Sequence, residues 1–474
     1  MAIKCSILPL LFELLRGLSH SELRMLKKYV RSPFVTHREE LALLCELLVQ
    51  SCYEKQAFPA KEELYVLVFG HSLYNDQRLR SLMSDLHLRI EDYLRWLSSE
   101  NRRPIADIHL TALYRKRGLN RHFQRTSRKV NRQLEESTIR NADYYQQQLL
   151  FQIETNRFQT TNKRTGKLNL QEIGDTMDTL YLAQKLRHVC SQLSHRAVYQ
   201  TDYQFGLLAQ WIDEIEDSPY LTIPAIALYY YCYRFLTEAY SQEYFRKFRE
   251  QLRQHYQQFP QDELKDLYRA AINFCIRKLN GGSLDFTREG WELYQDGLSQ
   301  QLFLENQQLS RFTFDNIVGF GLRLEDFGPV VDFIENYQQY LAPAYRESAV
   351  HFNYARLEYS RRNYTQALTH LQHAKPKDLV NQLILKTIQL KIYFEADEIS
   401  LLESHLDSFR HFIRRREVSD YHRTNFSNII TYTRKLISLA PSMREQRQRL
   451  GSLIEAEPIL SEKEWLLSKV DLTK

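Results

Sequence analysis

Glycine and proline are scarce in this chain. It has 14 glycines and 12 prolines among 474 residues, so glycine is about 3% of the sequence against about 7% in an average protein. Such a composition supplies little material for glycine-rich nucleotide-binding loops, arrays of β-hairpins or low-complexity linkers. The shortage of glycine and proline therefore favours a helical fold.

Cysteine is also sparse, and its spacing excludes a disulfide framework. The six residues form no CxxC pair and no dense cluster, so we expect free thiols in a reducing compartment. They are Cys5, Cys45, Cys52, Cys190, Cys232 and Cys275.

Long apolar runs are absent as well. No stretch approaches the ~18 uninterrupted apolar residues of a transmembrane helix. The apolar run over residues 7–15 contains Pro9 and Glu13 and is followed by no small-residue cleavage site, so it is a poor signal peptide. We therefore expect a cytoplasmic protein without membrane-spanning segments.

The composition is that of an ordinary globular protein, because 43% of the residues are hydrophobic and 26% are charged. This hydrophobic content is sufficient for a large core. Apolar residues recur at steps of three and four, and no alternation of period two persists. These patterns predict an all-α fold.

Helix signals begin in the first 100 residues. Ser19 and Glu22 form an S-x-x-E capping box, which satisfies the orphan amides at a helix start. Asn75 or Asp76 can cap a later helix whose leucines step by three or four. We predict a four-helix N-terminal helical domain over residues 1–100, which ends near the following Arg-Arg-Pro sequence because the residue before proline leaves helical backbone.

Residues 105–474 read as helices separated by short polar turns. An aromatic residue follows several of these turns and opens the next helix, and the intervals between these residues are 41, 41 and 37. The aromatic residues are Phe245, Phe286, Phe327 and Tyr364. Helix-turn-helix units of this kind bury their apolar faces only by stacking, so we predict an α-solenoid of helical hairpins that ends at a capping box of Ser461 and Glu464.

The clearest unit, residues 351–376, resembles a tetratricopeptide repeat. Six residues fall where that repeat places its small and aromatic packing residues, and we expect them to pack between helices. They are Ala355, Tyr359, Tyr364, Ala367, Leu371 and Ala374. Arg362 stands where glycine is usual, and neighbouring units exceed the repeat's length of about 34 residues, so the resemblance implies a degenerate tetratricopeptide-like repeat.

Three further segments resemble an uncharacterised family of bacterial helical-repeat proteins. They are ELRMLKKYVRSPF at 22–34, DTLYLAQKLRHVC at 178–190 and KEWLLSKV at 463–470. The resemblance spans nearly the whole chain and implies one continuous helical architecture. It implies no known activity and no catalytic residues.

An alternative concerns the segment over residues 61–94, which resembles the helix, loop and recognition helix of a winged DNA-binding domain. Arg78, Arg80 and Arg89 could reach phosphates. Acidic residues such as Asp85 lie on the same helix, however, and no alternating strand pair follows that could form a wing. The sequence favours a plain helical bundle.

A basic stripe forms the second candidate interaction site. Residues 108–134 contain eight bases and no acid, and four arginines step by four, three and four along one helical face. These are Arg121, Arg125, Arg128 and Arg132. Such an array can pair with phosphates or with an acidic helix. The sequence favours a solvated face, or one neutralised by Asp213, Glu214, Glu216 and Asp217.

Motifs for catalysis, metals or cofactors are weak. His370 and His373 are an i, i+3 pair, but Zn²⁺ needs a third and usually a fourth ligand, and none accompanies them nearby in sequence. The GFG sequence at 319–321 lacks a preceding strand and a third glycine, and the TGK sequence at 165–167 lacks the upstream glycine of a P-loop. We therefore assign no catalytic, metal or cofactor-binding residue and no cofactor.

The chain has 30 tyrosines and 25 phenylalanines, and in helical repeats most such rings interlock between stacked hairpins. The surplus could line a concave groove for peptides, because tyrosine combines apolar area with a hydroxyl that tolerates solvent. We predict a non-catalytic scaffold or adaptor that binds a protein or peptide. The alternative is a transcriptional regulator with a winged-helix-like N-terminal domain and a helical-repeat sensor domain, and nucleic acid is the less favoured partner.

Overall fold

The computed structural model describes residues 7–54, 58–70, 72–101, 103–162, 168–238, 242–440 and 442–470. In these residues the chain is all-α, as the sequence predicted: it has 23 α-helices and one hairpin of two-residue strands. Cys5, Arg102 and the TGK sequence at 165–167 lie outside the described residues.

The chain divides into two compact units, residues 1–184 and 185–474. The helix α9 spans the division. The domain limits expected from the sequence, 1–100 and 105–474, stay a prediction, and so does the solenoid.

The N-terminal unit is built from consecutive helices. They are α1 (Ile7–Arg16), α2 (His20–Val30), α3 (Glu39–Tyr53), α4 (Lys61–Phe69), α5 (Asp76–Asn101), α6 (Arg103–Lys116), α7 (Asn120–Glu136), α8 (Ala142–Asn162) and the first part of α9 (Leu170–Tyr199).

One hydrophobic core joins α1 to α5. The capping box is present at α2, where the amide of Ser19 donates to Glu22 at 2.7 Å, and Asn75 caps α5 by accepting from the amide of Arg78 at 3.0 Å. The sequence predicted four helices here and missed α1, whose Leu11 and Leu15 are fully buried. Its apolar run is therefore a core helix.

The C-terminal unit consists mainly of antiparallel helix pairs. Its α-helices are α10 (Leu208–Trp211), α11 (Pro224–Thr237), α12 (Gln242–His255), α13 (Gln261–Asn280), α14 (Phe286–Ser299), α15 (Arg311–Arg323), α16 (Phe327–Tyr337), α17 (Pro343–Ser360), α18 (Tyr364–His373), α19 (Leu379–Glu395), α20 (Ile399–Arg415), α21 (Asp420–Ser438), α22 (Arg444–Ala456) and α23 (Lys463–Val470). Three short 3₁₀ helices, Pro219–Thr222, Tyr256–Gln258 and Gln338–Tyr340, complete the helical elements.

The strands β1 (Leu304–Glu305) and β2 (Gln308–Leu309) pair antiparallel between α14 and α15. Asn306 and Gln307 form the two-residue turn, and both have positive φ, 49° and 61°, as a type I′ turn requires.

Three helix pairs of the C-terminal unit close with the same turn, which also follows α6 at Gly118. Gly282, Arg362 and Asp397 have φ values of 89°, 60° and 58° and end α13, α17 and α19. In each case the next amide donates to a carbonyl five residues earlier, as from Asn363 to Glu358 at 2.8 Å. This Schellman pattern satisfies carbonyls that the helix end leaves unpaired. The helices that follow begin at Phe286, Tyr364 and Ile399.

The predicted capping box at the last helix is not seen. Ser461 instead pairs with Asn425 of α21: its hydroxyl accepts from Nδ2 at 3.0 Å, and its amide donates to Oδ1 at 2.6 Å. No described helix is both long enough and apolar enough to cross a membrane.

Candidate functional site

A cavity of about 480 Å³ opens beside the first turn of α15. Phe312 of α15 and Tyr345 of α17 line it, together with Asp378 at the start of α19. Phe312 is 65% exposed, and the guanidinium of Arg311 lies 4.8 Å from the centre of its ring. A large aromatic side chain left open to solvent beside a cavity is a candidate anchor for a partner.

Asp315 ties three helices together at the wall of this cavity. Its carboxylate accepts hydrogen bonds from Nδ2 of Asn353 on α17 at 2.6 Å and from Nδ2 of Asn381 on α19 at 3.1 Å. Burial raises the pKa of Asp315, although these amides and the charge of Arg356 act in the opposite direction. The carboxylate thus holds α15, α17 and α19 in a fixed arrangement.

The rim of the cavity carries positive charge. Arg311 pairs with Asp378 at 2.6 Å, and Asp378 also caps α19 by accepting from the amide of Asn381 at 2.9 Å. Lys375 and Lys377 are exposed and have no ion-pair partner among the described residues. Their two charges therefore stay open to solvent.

A second cavity of about 690 Å³ adjoins the first, since Ser310, Phe312 and Tyr345 line both. We call the two cavities together the α15 groove. The second cavity is rich in exposed side-chain amides, which offer both a donor and an acceptor, as a peptide group does. These amides belong to Asn273, Asn306, Gln308 and Asn316.

The predicted repeat residues lie at the contacts of α17 with α18 and of both with α19. Ala355 and Ala367 are fully buried, and Ala374 is 7% exposed. Tyr359, Tyr364 and Leu371 are only partly buried, and both tyrosine hydroxyls donate to the carboxylate of Glu395 on α19. The two distances are 3.3 and 2.8 Å.

Glu395 also accepts from the C-terminal helix α23. The indole Nε1 of Trp465 lies at 2.8 Å and Nζ of Lys469 at 2.7 Å from its Oε1. This carboxylate therefore links α17 and α18 to α23, which is a structural role.

The basic stripe lies on the exposed face of α7. Arg121, Arg125 and Arg128 have no carboxylate partner among the described residues, whereas Arg132 pairs with Glu136 at 2.7 Å. Two of the acids expected to neutralise the stripe have another partner, because Asp213 and Glu216 pair with Arg234 in the C-terminal unit. These distances are 2.7 and 3.2 Å.

The arginines of the winged-helix alternative are neutralised. On α5, Arg80 pairs with Asp76 at 2.6 Å and Arg89 with Asp92 at 2.9 Å, and Arg78 lies 3.8 Å from Glu40 of α3. No strand occurs in the described residues of the N-terminal unit. The paired arginines and the lack of strands in this described part of the chain both disfavour recognition of a DNA duplex by α5.

His351 joins His370 and His373, a convergence that sequence spacing did not suggest. The Nδ1 atoms of His351 and His370 lie 2.9 Å apart, and the ring centres of His351 and His373 lie 5.0 Å apart. No group of metal-ligating side chains suited to an ion occurs among the described residues.

The five described cysteines are free thiols, as expected, and four of them are buried. Burial raises the pKa of Cys45 and of Cys275 to about 12. A thiol at such a pKa is protonated at neutral pH and is a poor nucleophile.

The sequence did not identify the α15 groove. Phe312 could have been noticed, because Phe314, Ile317 and Val318 define the buried face of α15 and Phe312 falls off that face. The remaining lining residues come from helices far apart in sequence, so no local pattern marks them.

The chain matches no protein-family model, no curated protein and no solved structure in the comparisons made. Its resemblance to helical repeats therefore rests on the residues described above. The α15 groove and the basic stripe are the two candidate interaction sites described above.

Proposed function

We propose that the protein is a non-catalytic cytoplasmic adaptor that binds an extended peptide segment of another protein in the α15 groove. One observation carries the proposal: two adjoining cavities share the exposed ring of Phe312. Their volumes, about 480 and 690 Å³, lie in the range of ligand sites.

The chemistry of the groove suits a peptide. Phe312 and Tyr345 offer aromatic surface to an apolar side chain, and aromatic anchors dominate the energetics of many interfaces. The exposed side-chain amides of Asn273 and Asn316 can donate hydrogen bonds to, and accept them from, the main chain of a bound peptide. Lys375 and Lys377 favour a segment with acidic residues at that end.

The wall of the groove is preorganised for binding. Asn353 and Asn381 hold Asp315, so α15, α17 and α19 need no rearrangement to form the site. A rigid site loses less conformational freedom when it binds. The carboxylate of Asp315 already serves this structural purpose, which favours binding over acid-base chemistry.

We also infer that the helix pairs from α13 to α20 are degenerate tetratricopeptide-like repeats stacked as a solenoid. The shared turn at Gly282, Arg362 and Asp397 supports this inference, as do the aromatic residues that open α14 and α18. In such a stack the first helices of successive pairs would present one continuous binding surface.

The test is selection from a random peptide library displayed on phage, with the purified full-length protein as bait. We expect a family of sequences with an apolar anchor and acidic neighbours. Fluorescence anisotropy should show that Phe312→Ala weakens their binding about tenfold or more.

Tyr421→Ala is the matched control, because Tyr421 is a 57% exposed aromatic residue outside both cavities. It should change affinity less than about twofold. If no sequence family emerges, or if selected peptides bind Phe312→Ala as tightly as the unaltered protein, the proposal is wrong.

A further inference from the structure

We propose that the outward face of α7 binds the sugar-phosphate backbone of a nucleic acid without reading its bases. This site is separate from the α15 groove and does not depend on the function proposed for that groove. Its contact residues are Arg121, Arg125 and Arg128, and Arg132 extends the row.

The row follows from helix geometry. At 100° per residue the four arginines fall within an arc of about 60° and span a rise of about 16 Å. The apolar residues of α7, Phe123, Val130 and Leu134, point in the opposite direction and are buried. The arginines therefore project together into solvent.

These charges contrast with those of α5, where Arg80, Arg89 and Arg95 each have a carboxylate within 3.1 Å. On α7 the first three arginines of the row have no carboxylate partner among the described residues. The exposed Lys116 and Arg117 at the end of α6 also lack an ion-pair partner in that part of the chain. The molecule thus neutralises these arginines on α5 and leaves Arg121, Arg125 and Arg128 of α7 open.

The first arginine of the row does not stabilise its own helix. The first turn of α7 contains no acidic residue, and Arg121 is the second residue of the helix. Positive charge near a helix N-terminus is unfavourable, because the aligned peptide dipoles already place partial positive charge there. A role in stability does not explain the position of Arg121.

The composition of the face selects the partner. Every apolar residue of α7 is buried, so the outward face offers cations and amides, with acidic side chains only at its C-terminal end, where Glu135 and Glu136 lie. An acidic protein would find no aromatic or aliphatic anchor there, and such anchors supply most of the energy of protein interfaces. A dense polyanion binds such a face by releasing condensed counterions, which requires no apolar contact.

The experiment measures binding of the full-length protein to a labelled 24-base-pair DNA duplex of arbitrary sequence, and to a single strand of the same length. Anisotropy titrations are run between 50 and 200 mM salt. We expect similar affinities for unrelated sequences and a steep fall in affinity as salt rises. In the triple variant Arg121→Gln, Arg125→Gln, Arg128→Gln, the log-log salt slope should become shallower by about 2.7, since each phosphate contact contributes about 0.9.

The control replaces three exposed arginines of the C-terminal unit that have no ion-pair partner in the described part of the chain, as Arg414→Gln, Arg415→Gln and Arg444→Gln. Both triple variants lower the formal net charge from +6 to +3, because each loses three positive charges. At 50 mM salt the α7 variant should bind at least about tenfold more weakly than the control variant. Circular dichroism checks that both remain folded.

Three results would overturn the proposal. The first is an equal loss of affinity in both triple variants, which would mean that only net charge matters. The second is no measurable binding of either nucleic acid at 50 mM salt. The third is tighter, α7-dependent binding to vesicles of anionic lipid or to a polyglutamate peptide, which would assign the face to another partner.

Discussion

Gly290 and Phe320 occupy adjoining space: a Cβ atom added at Gly290 would lie 2.1 Å from Cε1 of the Phe320 ring. The glycines of the GFG sequence at 319–321 make similar contacts. A Cβ at Gly319 would lie 2.8 Å from Nη2 of Arg356, and one at Gly321 would lie 2.4 Å from Cγ2 of Val330. These glycines allow close helix packing, which agrees with our rejection of a dinucleotide motif.

Gly290→Ala should therefore lower the free energy of unfolding by about 1–3 kcal/mol, because the new methyl group must displace a buried ring. The matched control is Gly174→Ala in α9, where an added Cβ meets no atom within 4 Å. That change should raise stability by up to about 1 kcal/mol through helix propensity. Denaturant titration measures both, and a stabilised Gly290→Ala variant would contradict the packing described here.

The turn at Arg362 gives a second prediction. Arg362 has a φ of 60°, a conformation that disfavours residues with a Cβ. Arg362→Gly should stabilise the protein by about 0.5–1 kcal/mol, after allowing for the greater freedom of glycine in the unfolded chain.

Arg361→Gly is the control for that turn, since Arg361 has an ordinary φ of −75°. It should destabilise the protein by about 1–2 kcal/mol, because it adds conformational freedom to the unfolded chain and removes the ion pair of Arg361 with Glu358 at 3.1 Å. Thermal melting of the two variants should move the midpoint in opposite directions. A shift in the same direction for both would show that the left-handed conformation at Arg362 is not strained.

Local signals explain what the sequence could predict. The capping box at Ser19 and the periodic leucines mark helices because both lie within a few turns of one segment. Four aromatic residues were expected to open helices. Phe286, Phe327 and Tyr364 are the first residues of α14, α16 and α18, whereas the expectation for Phe245 is wrong, because it is the fourth residue of α12. The stripe was found for the same reason, because its four arginines share one helix.

Contacts between segments that are distant in sequence could not be predicted from such local signals. The α15 groove combines residues near 273, 312, 345 and 378, and only the packing of α13, α15, α17 and α19 brings them together. The helix α1 was missed because Pro9 and Glu13 interrupt its apolar run. Its place in the core depends on contacts with α3 and α5.

Glu395 provides a prediction for acid conditions. Burial alone would raise its pKa, but hydrogen bonds from Lys469, Trp465 and Tyr364 outweigh burial and lower the pKa below its ordinary value. A carboxylate with a depressed pKa in the folded state contributes stability above the unfolded pKa of about 4.3, and this stability is lost as pH falls through the folded value.

Glu395→Gln should therefore destabilise the protein by about 3 kcal/mol at pH 7, because Lys469 keeps a half-buried charge without its partner. The variant should also lose less stability than the unaltered protein when pH falls below about 4.5. Glu445→Gln is the control, since the Glu445–Arg449 pair is more than 75% exposed and worth about 0.5 kcal/mol or less. Parallel pH curves for Glu395→Gln and the unaltered protein would refute the role given to this carboxylate.

The last prediction concerns the cluster of His351, His370 and His373. Burial, together with the neighbouring His373, lowers the pKa of His351, and burial together with His351 lowers the pKa of His370. Glu347 acts in the opposite direction on the pKa of His351, and Glu358 does so on the pKa of His370.

A histidine whose pKa is depressed in the folded state takes up its proton more readily when the chain unfolds. The free energy of unfolding should thus fall as pH drops through about 6.5, and the loss is complete below the folded pKa. The ring of His370 is stacked on that of Tyr354, and the two ring centres lie 5.2 Å apart. His370→Phe keeps an aromatic ring at this position but removes the titrating group. Its stability should decrease less between pH 7 and pH 5 than that of the unaltered protein.

The control is His422→Phe, on α21 and outside the cluster, which should retain the full decrease. Equal decreases in all three proteins, measured by urea titration at each pH, would show that the cluster contributes nothing to the pH dependence.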